Sequence, residues 1–250
     1  MAERAAIGTR RIKKYALPDV VRGVVFDGDD TLWLTEPLYD VARLAARAIV
    51  EGAGLDGALW EAEQRRRDLA NVAMLGHRPD RFPTSAVEAL SAVGGDGLAD
   101  APSVRERVRM AAASVFALQA PLRPGAHDVL AKLRSSGILL ALLTKGDSDV
   151  QQRRLADSGL ASFFDVTSIV ERKSAEAFRD VARQLGVAAD ELLSVGNSVE
   201  SDIRPSTEAG ITAIWLPAYV WEYERHDPAL EPDLHRIDDL ADLLRLVEPI

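Results

Sequence analysis

No cysteine occurs among the 250 residues of the chain. That absence excludes disulfides, thiolate nucleophiles and Cys-ligated zinc, and it suits a reducing compartment, so a cytoplasmic location is expected. Long apolar runs are also missing. Hydrophobic residues make up 47% of the sequence, yet no stretch approaches the roughly 20 needed to span a bilayer, and no membrane role is expected. Positive charge is scarce: 30 Lys and Arg stand against 39 Asp and Glu, for a formal net charge of −9. An acidic balance argues against nucleic acid as the main partner. It leaves room for a small anionic substrate, because a metal or a local basic pocket offsets global charge. Fixed-period repeats and low-complexity tracts are absent as well. Residues 1–19 carry Arg4, Arg10, Arg11, Lys13 and Lys14 with no apolar segment beside them, and read as a basic tail.

What is present centres on Val24-Val25-Phe26-Asp27-Gly28-Asp29-Asp30-Thr31. A short Val/Phe run reads as a strand buried on both faces of a parallel sheet. It ends in three carboxylates within four residues, at the edge where open α/β sheets bind ligands. Carboxylates so close repel one another, and the site wants a cation or a shared proton. A calcium-binding loop fits poorly, since its sixth and twelfth positions would be Leu32 and Leu38 rather than Gly and Glu.

Downstream, residues 36–119 show helical periodicity and no convincing strand. Leu38, Val41, Leu44, Ala45, Ala48 and Ile49 mark one helix. Leu59 to Leu75 marks a second, ended by Gly76, with Arg65, Arg66 and Arg67 on its wet side. His77 to Pro83 reads as a loop, Thr84 or Ser85 as the cap of a helix to Val93, and Ser103 as the start of another through about Leu118. From Pro121 onward, strands alternate with helices. Strands are expected at 138–143, 163–169, 192–195 and 212–215. Helices are expected at 126–135, 149–159, 175–185, 203–209 and 237–247. This alternation implies right-handed crossovers and a parallel sheet. The expected architecture is an α/β, Rossmann-like core from residues 20–36 and 120–250, interrupted by a smaller helical block over 37–119.

Parallel strands put their carboxyl ends on one edge, which gathers four polar clusters: Asp27/Asp29, Thr144-Lys145-Gly146, Arg172/Lys173 and Asn197/Glu200/Asp202. Each alone is compatible with a turn or a solvated helix start. Together they supply carboxylates, a hydroxyl, backbone amides beside a glycine and an ammonium, an inventory suited to phosphoryl transfer with a divalent metal.

Carried by these residues, the sequence resembles the haloacid dehalogenase superfamily of aspartate-nucleophile hydrolases. The first motif of the family is similar to Asp27-Gly28-Asp29-Asp30-Thr31, and the second to Leu142-Leu143-Thr144-Lys145-Gly146. The third resembles Arg172-Lys173 ahead of Phe178, and the fourth Val195 to Ile203 with Asn197, Glu200 and Asp202. The resemblance covers residues 20–37 and 120–220, and implies that 37–119 is a helical cap over the site. It implies Asp27 as nucleophile and Asp29 as general acid and base, with Mg2+ held by Asp27, the backbone carbonyl of Asp29, Asn197 and Asp202. It further implies phosphoryl oxygens on Thr144, Lys145 and Gly146, and Lys173 stabilising their charge. His77, Arg78 and Arg81 in the central loop of the cap are candidates to contact an anionic substrate.

Three positions depart from the family pattern. Asp30 stands where Gly is usual, Asn197 where an Asp usually approaches the metal, and Lys173 one residue nearer the following aromatic than is common, a spacing that Arg172 fits instead. Asp29 favours a phosphatase over a 2-haloacid dehalogenase, whose chemistry dispenses with an acid there and with the metal. The expected substrate is a small phosphorylated metabolite. A catalytically weakened member of the same fold is the other alternative, and a phospho-accepting receiver fits less well, being about half this length. The segment Tyr219 to Glu224 is read as flanking the pocket or packing an edge.

Overall fold

A computed structural model describes residues 16–98, 102–217 and 234–247. The expected basic tail lies outside these except for its last four residues, and the Tyr219 to Glu224 segment lies wholly outside them.

Six parallel strands form one sheet: β1 (Gly23–Phe26), β2 (Leu139–Lys145), β3 (Val166–Val170), β4 (Leu192–Gly196), β5 (Thr212–Trp215) and β6 (His235–Arg236). Their spatial order is β3-β2-β1-β4-β5-β6, the order of a doubly wound dinucleotide-type fold. β1 is central, and all four of its residues are buried. The two-residue alternation of a strand sends Val24 and Phe26 to one face and Val25 to the other. Val24 and Phe26 join Leu140, Leu142, Leu193, Val195 and Ile214 in the larger apolar core. Val25 joins Ala141 and Leu143 under Phe178, Val181 and Leu185. The last three lie on the helix Ala175–Leu185, whose start is capped by Ser174 accepting from the Ala177 amide.

The helices are α1 (Glu36–Gly52), α2 (Gly57–Leu75), α3 (Arg81–Leu98), α4 (Pro102–Ala113), α5 (Ala126–Ser135), α6 (Ser148–Ser158), α7 (Ala175–Leu185), α8 (Arg204–Glu208) and α9 (Asp242–Val247). No strand falls among the described residues between α1 and α4, as the periodicity predicts. The apolar faces of α1 to α4 meet one another, yet Leu32 and Trp33 carry the sheet's core without a break into Leu38, Ala42, Trp60, Phe82 and Leu90. Among the described residues, no helix is long and apolar enough to cross a membrane.

Two helix starts differ from the sequence expectation. α3 begins at Arg81, so Thr84 and Ser85 lie inside it rather than capping it. Pro83 is tolerated in that first turn, where its missing N–H has no intrahelical partner to lose. Arg81 pairs with buried Asp68 at 3.0 Å and Phe82 packs edge-on against Tyr39; these contacts draw the supposed loop into the helix. At the far end, 237–247 is helical only from Asp242. His235 and Arg236 pair with β5, and Ile237 donates to the Trp215 carbonyl.

Candidate active site

The strand order reverses around β1, which places β2 on one side and β4 on the other. A crevice opens there, beyond the carboxyl ends of the strands, where folds of this kind bind ligands. Asp27 is the first residue beyond β1, tied to the sheet by its amide donating to the Val195 carbonyl at 2.9 Å. Behind it the chain turns tightly, with the Gly28 carbonyl accepting from the amides of Thr31, Leu32 and Trp33. A Cβ at Gly28 would collide with the Trp33 ring, so the turn requires glycine. Arg123 braces the turn from outside, donating from Nε to the Thr31 carbonyl at 2.9 Å and from Nη2 to that of Asp30.

One buried ammonium organises the centre. Lys173 Nζ lies 2.5 Å from Asp27 Oδ1 and 2.6 Å from Asp202 Oδ1, and all three side chains are buried. Asp27 Oδ2 accepts from the Thr31 hydroxyl at 2.9 Å. The Asp27 carboxyl is raised to about 7 on balance: burial pushes it up most, Lys173 pulls it down, and Asp202 and then Asp29 push it up. Burial works against the Lys173 charge too, but Asp202 and Asp27 outweigh it, and the lysine is held above its usual value. The shared fact is a buried pair of carboxylates with a single ammonium between them, one negative charge in excess.

Of the two candidate cations of the third motif, Lys173 reaches this centre and Arg172 is exposed to solvent. In the fourth motif, Asp202 faces inward, with Oδ2 accepting from the Ser198 amide at 2.9 Å. Glu200 turns out to solvent and pairs with Arg204 at 2.8 Å. The short π-helical turn Val199–Ile203 separates these two acids onto opposite sides. A Cβ on Gly196 would collide with the Asp202 carboxylate, so a glycine at the end of β4 is what admits that approach. Asn197 lines the same cleft, and its backbone carbonyl accepts from Trp215 Nε1.

Thr144, at the end of β2, lines the cleft with a buried hydroxyl that has no hydrogen-bond partner. Lys145 and Gly146 line it too; Lys145 Nζ donates to Ser201 Oγ at 2.7 Å, and Gly146 takes a φ of 132°. Arg81 and Arg78 reach the rim with His77. Arg81 is buried against Asp68, whereas Arg78 is exposed beside Asp80 at 3.0 Å. The helical block contributes Glu36, Tyr39 and Arg43. Burial, and next the neighbouring Asp30, push Glu36 up to about 8.

Asp30 has a different task from its neighbours. Its oxygens accept from the Thr35 amide, the Thr35 hydroxyl and the Glu36 amide at 2.8, 2.6 and 3.0 Å, which caps the start of α1. Its φ of 59° is left-handed. That conformation suits the glycine usual at this position, and aspartate is among the few residues that tolerate it.

Asp29 is held by residues that the motifs do not contain. Oδ1 accepts from Trp33 Nε1 at 2.7 Å; Oδ2 accepts from Gln151 Nε2 at 2.9 Å and Arg154 Nη1 at 2.7 Å. Gln151 and Arg154 sit three apart on α6, hence on one helix face. The sequence signal was two long polar side chains at that spacing just after the second motif, flanked by Val150 and Leu155 on the one buried face of an otherwise polar helix.

A model of haloacid dehalogenase-like hydrolases matches residues 21–210. The chain belongs to this family of hydrolases. It is 30% identical over 247 residues to the phosphoserine phosphatase of Thermus thermophilus, covering 88% of this chain and 96% of the relative. It is also 30% identical over 246 residues to the glyceraldehyde 3-phosphate phosphatase of Methanopyrus kandleri, covering 92% and 99%. Among solved structures, a haloacid dehalogenase-like family hydrolase from Xanthomonas campestris superposes with a TM-score of 0.73 at 25% identity, over 91% of this chain and 96% of that one. The L-2-haloacid dehalogenase of Xanthobacter autotrophicus shares the fold at a TM-score of 0.60 and 19% identity, over 91% and 98%.

Proposed function

We propose that this hydrolase is a Mg2+-dependent phosphatase of a small phosphorylated metabolite and works through an aspartyl-phosphate on Asp27. The observation that carries the reading is the unpartnered, buried Thr144 hydroxyl in the same cleft as the Asp27–Lys173–Asp202 cluster. A buried hydroxyl without a partner costs free energy, and a phosphoryl oxygen is the acceptor that a site with this ammonium would bring to it. Two phosphatases among the relatives support the same chemistry.

In this reading, Asp27 attacks phosphorus while the bond to the ester oxygen breaks. Asp29 gives the departing oxygen a proton, then takes one from the water that cleaves the acyl phosphate. Thr144 and Lys173 hold the phosphoryl oxygens as charge moves across them. The donors present fit Mg2+. Among the described residues no three His, Asp or Glu side chains gather into a metal set, but Asp27 and Asp202 with the neutral oxygens of Asn197 and the Asp29 backbone offer hard ligands. Mg2+ commonly takes one or two carboxylates and keeps waters or phosphate oxygens for the rest. Bound there, it would offset the excess negative charge that Lys173 leaves uncompensated.

The cleft holds about 130 Å³, below the ~300–1,000 Å³ of pockets for drug-sized ligands. Phosphoserine and glyceraldehyde 3-phosphate, named for the relatives, are the first esters to test. Halide displacement is the weaker reading, because it gives no task to a second carboxylate held on both oxygens beside the nucleophile. The decisive assay measures phosphate release from p-nitrophenyl phosphate and a panel of phosphorylated metabolites with Mg2+, comparing Asp27→Ala. A loss of more than about 10³-fold is expected; equal turnover by both proteins would refute the mechanism.

A further inference from the structure

Among the described residues, four buried side-chain atoms lack hydrogen-bond partners, and three of them belong to residues lining this cleft: Thr144 Oγ1, Gln151 Oε1 and Arg154 Nη2. Native interiors leave few such atoms unpaired, so three around one cavity point to a ligand. The phosphoryl group accounts for Thr144. It does not account for Gln151 and Arg154, which bracket Asp29 rather than Asp27.

We infer that Arg154 reads a carboxylate on the leaving group of the substrate, while the unpaired Gln151 Oε1 is placed to accept from a hydroxyl or ammonium beside it, so that the esters this enzyme prefers are phosphorylated hydroxy- or amino-acids. The inference rests on the phosphatase reading. Arg154 is a buried guanidinium, its side chain 8% exposed, that spends Nη1 on Asp29 at 2.7 Å and leaves Nη2 unpartnered. Tyr39 lies beside the guanidinium and interacts with it, yet Nη2 keeps no hydrogen-bond partner, and the Tyr39 hydroxyl is pushed up by burial. If Asp29 meets the ester oxygen, a group hydrogen-bonded to Asp29 lies beside the first carbons of the alcohol. A second N–H at that place addresses an oxygen two or three carbons from the ester.

The chemistry of the wall selects the kind of oxygen. A planar guanidinium fork matches the two in-plane oxygens of a carboxylate and binds them better than a neutral hydroxyl or aldehyde. Other cations on the wall are already engaged: Arg43 by Asp40 and Gln64, and Arg81 by Asp68. Arg154 is thus the buried arginine of the cleft with an N–H left to give. The aromatic pair Tyr39 and Phe116, edge to face at 6.2 Å, closes the cleft beside it and favours a short carbon chain.

The test compares kcat/KM for twin esters that differ only at the predicted carboxylate. Phosphoserine is set against phosphoethanolamine, and 3-phosphoglycerate against glycerol 3-phosphate, on wild type, Arg154→Met and Arg154→Lys. The wild type is expected to favour the carboxylate twin by about 10- to 100-fold, the range of one charge-assisted hydrogen bond. Arg154→Met weakens turnover of every ester, because Asp29 loses a support, but that loss cancels in the ratio. Its ratio should fall to near one, and Arg154→Lys should recover part of it; thermal melting confirms that both variants fold. A wild-type ratio near one, or a ratio unchanged in Arg154→Met, would overturn the inference while leaving the phosphatase reading standing. No hydrolysis of any of the four esters would overturn the inference, and the phosphatase reading falls with it only if p-nitrophenyl phosphate is not hydrolysed either.

Discussion

Glu36 offers a measurable link between burial and pH. It opens α1, lines the cleft, and is pushed up from 4.5 to about 8 by burial and then by the Asp30 carboxylate. The Arg43 guanidinium pulls the other way but does not outweigh them. A carboxyl raised in the folded state makes that state bind more protons than the unfolded one between the two values. Stability therefore falls as pH climbs from about 4.5 to about 8. At ~1.36 kcal/mol per unit, the whole displacement sets an upper bound of roughly 4–5 kcal/mol. The side that faces the cleft reaches solvent, and screening there should reduce the measured figure to about 2 kcal/mol. In Glu36→Gln this slope disappears. Urea unfolding of both proteins at pH 5, 6, 7 and 8 should show the variant gaining about 2 kcal/mol on the wild type across that range. Asp27 and Asp30, which burial also raises, to about 7 and about 6, bend both curves and largely cancel in the difference. Parallel stability curves from pH 5 to 8 would refute the reasoning.

Two other substitutions separate support from chemistry. Thr144→Val removes a hydroxyl that has no protein partner, so unfolding free energy should stay within about 0.5–1 kcal/mol of wild type while kcat/KM on p-nitrophenyl phosphate drops by about 10²-fold. Asp30→Ala loses three hydrogen bonds at the start of α1 and puts a less tolerant residue at a φ of 59°. Urea titration should show a loss of about 2–4 kcal/mol, with Asp30→Asn losing less because asparagine tolerates that conformation.

Much of this molecule was open to a linear reading because its signals are local. Continuous apolar runs placed β1, β2, β4 and β5, and helical periodicity placed α5 and α7, to within two residues, since a strand buried on both faces and a helix buried on one leave those patterns in the sequence. The four strand-end clusters followed from the parallel topology. The start of α3 was misplaced because Arg81 and Phe82 are held by Asp68 and Tyr39, residues far away in sequence. The short strand β6 was missed for a similar reason: two residues carry no period, and pairing with β5 alone defines them.

The site divides along the same line. Residue type and spacing by themselves determined that Asp27, Asp29, Thr144, Lys173 and the Asn197–Asp202 segment would meet at one sheet edge, because a parallel sheet sends every strand end there. Only the tertiary structure decided among neighbours: Lys173 inward and Arg172 outward, Asp202 on the ammonium and Glu200 on Arg204, Asp30 withdrawn to cap α1. It also brought Gln151 and Arg154 onto Asp29 across more than 120 residues of chain. A motif records which groups lie close in sequence. The direction in which each side chain points, and which of its atoms remains unpaired, depends on a packing that no local pattern contains.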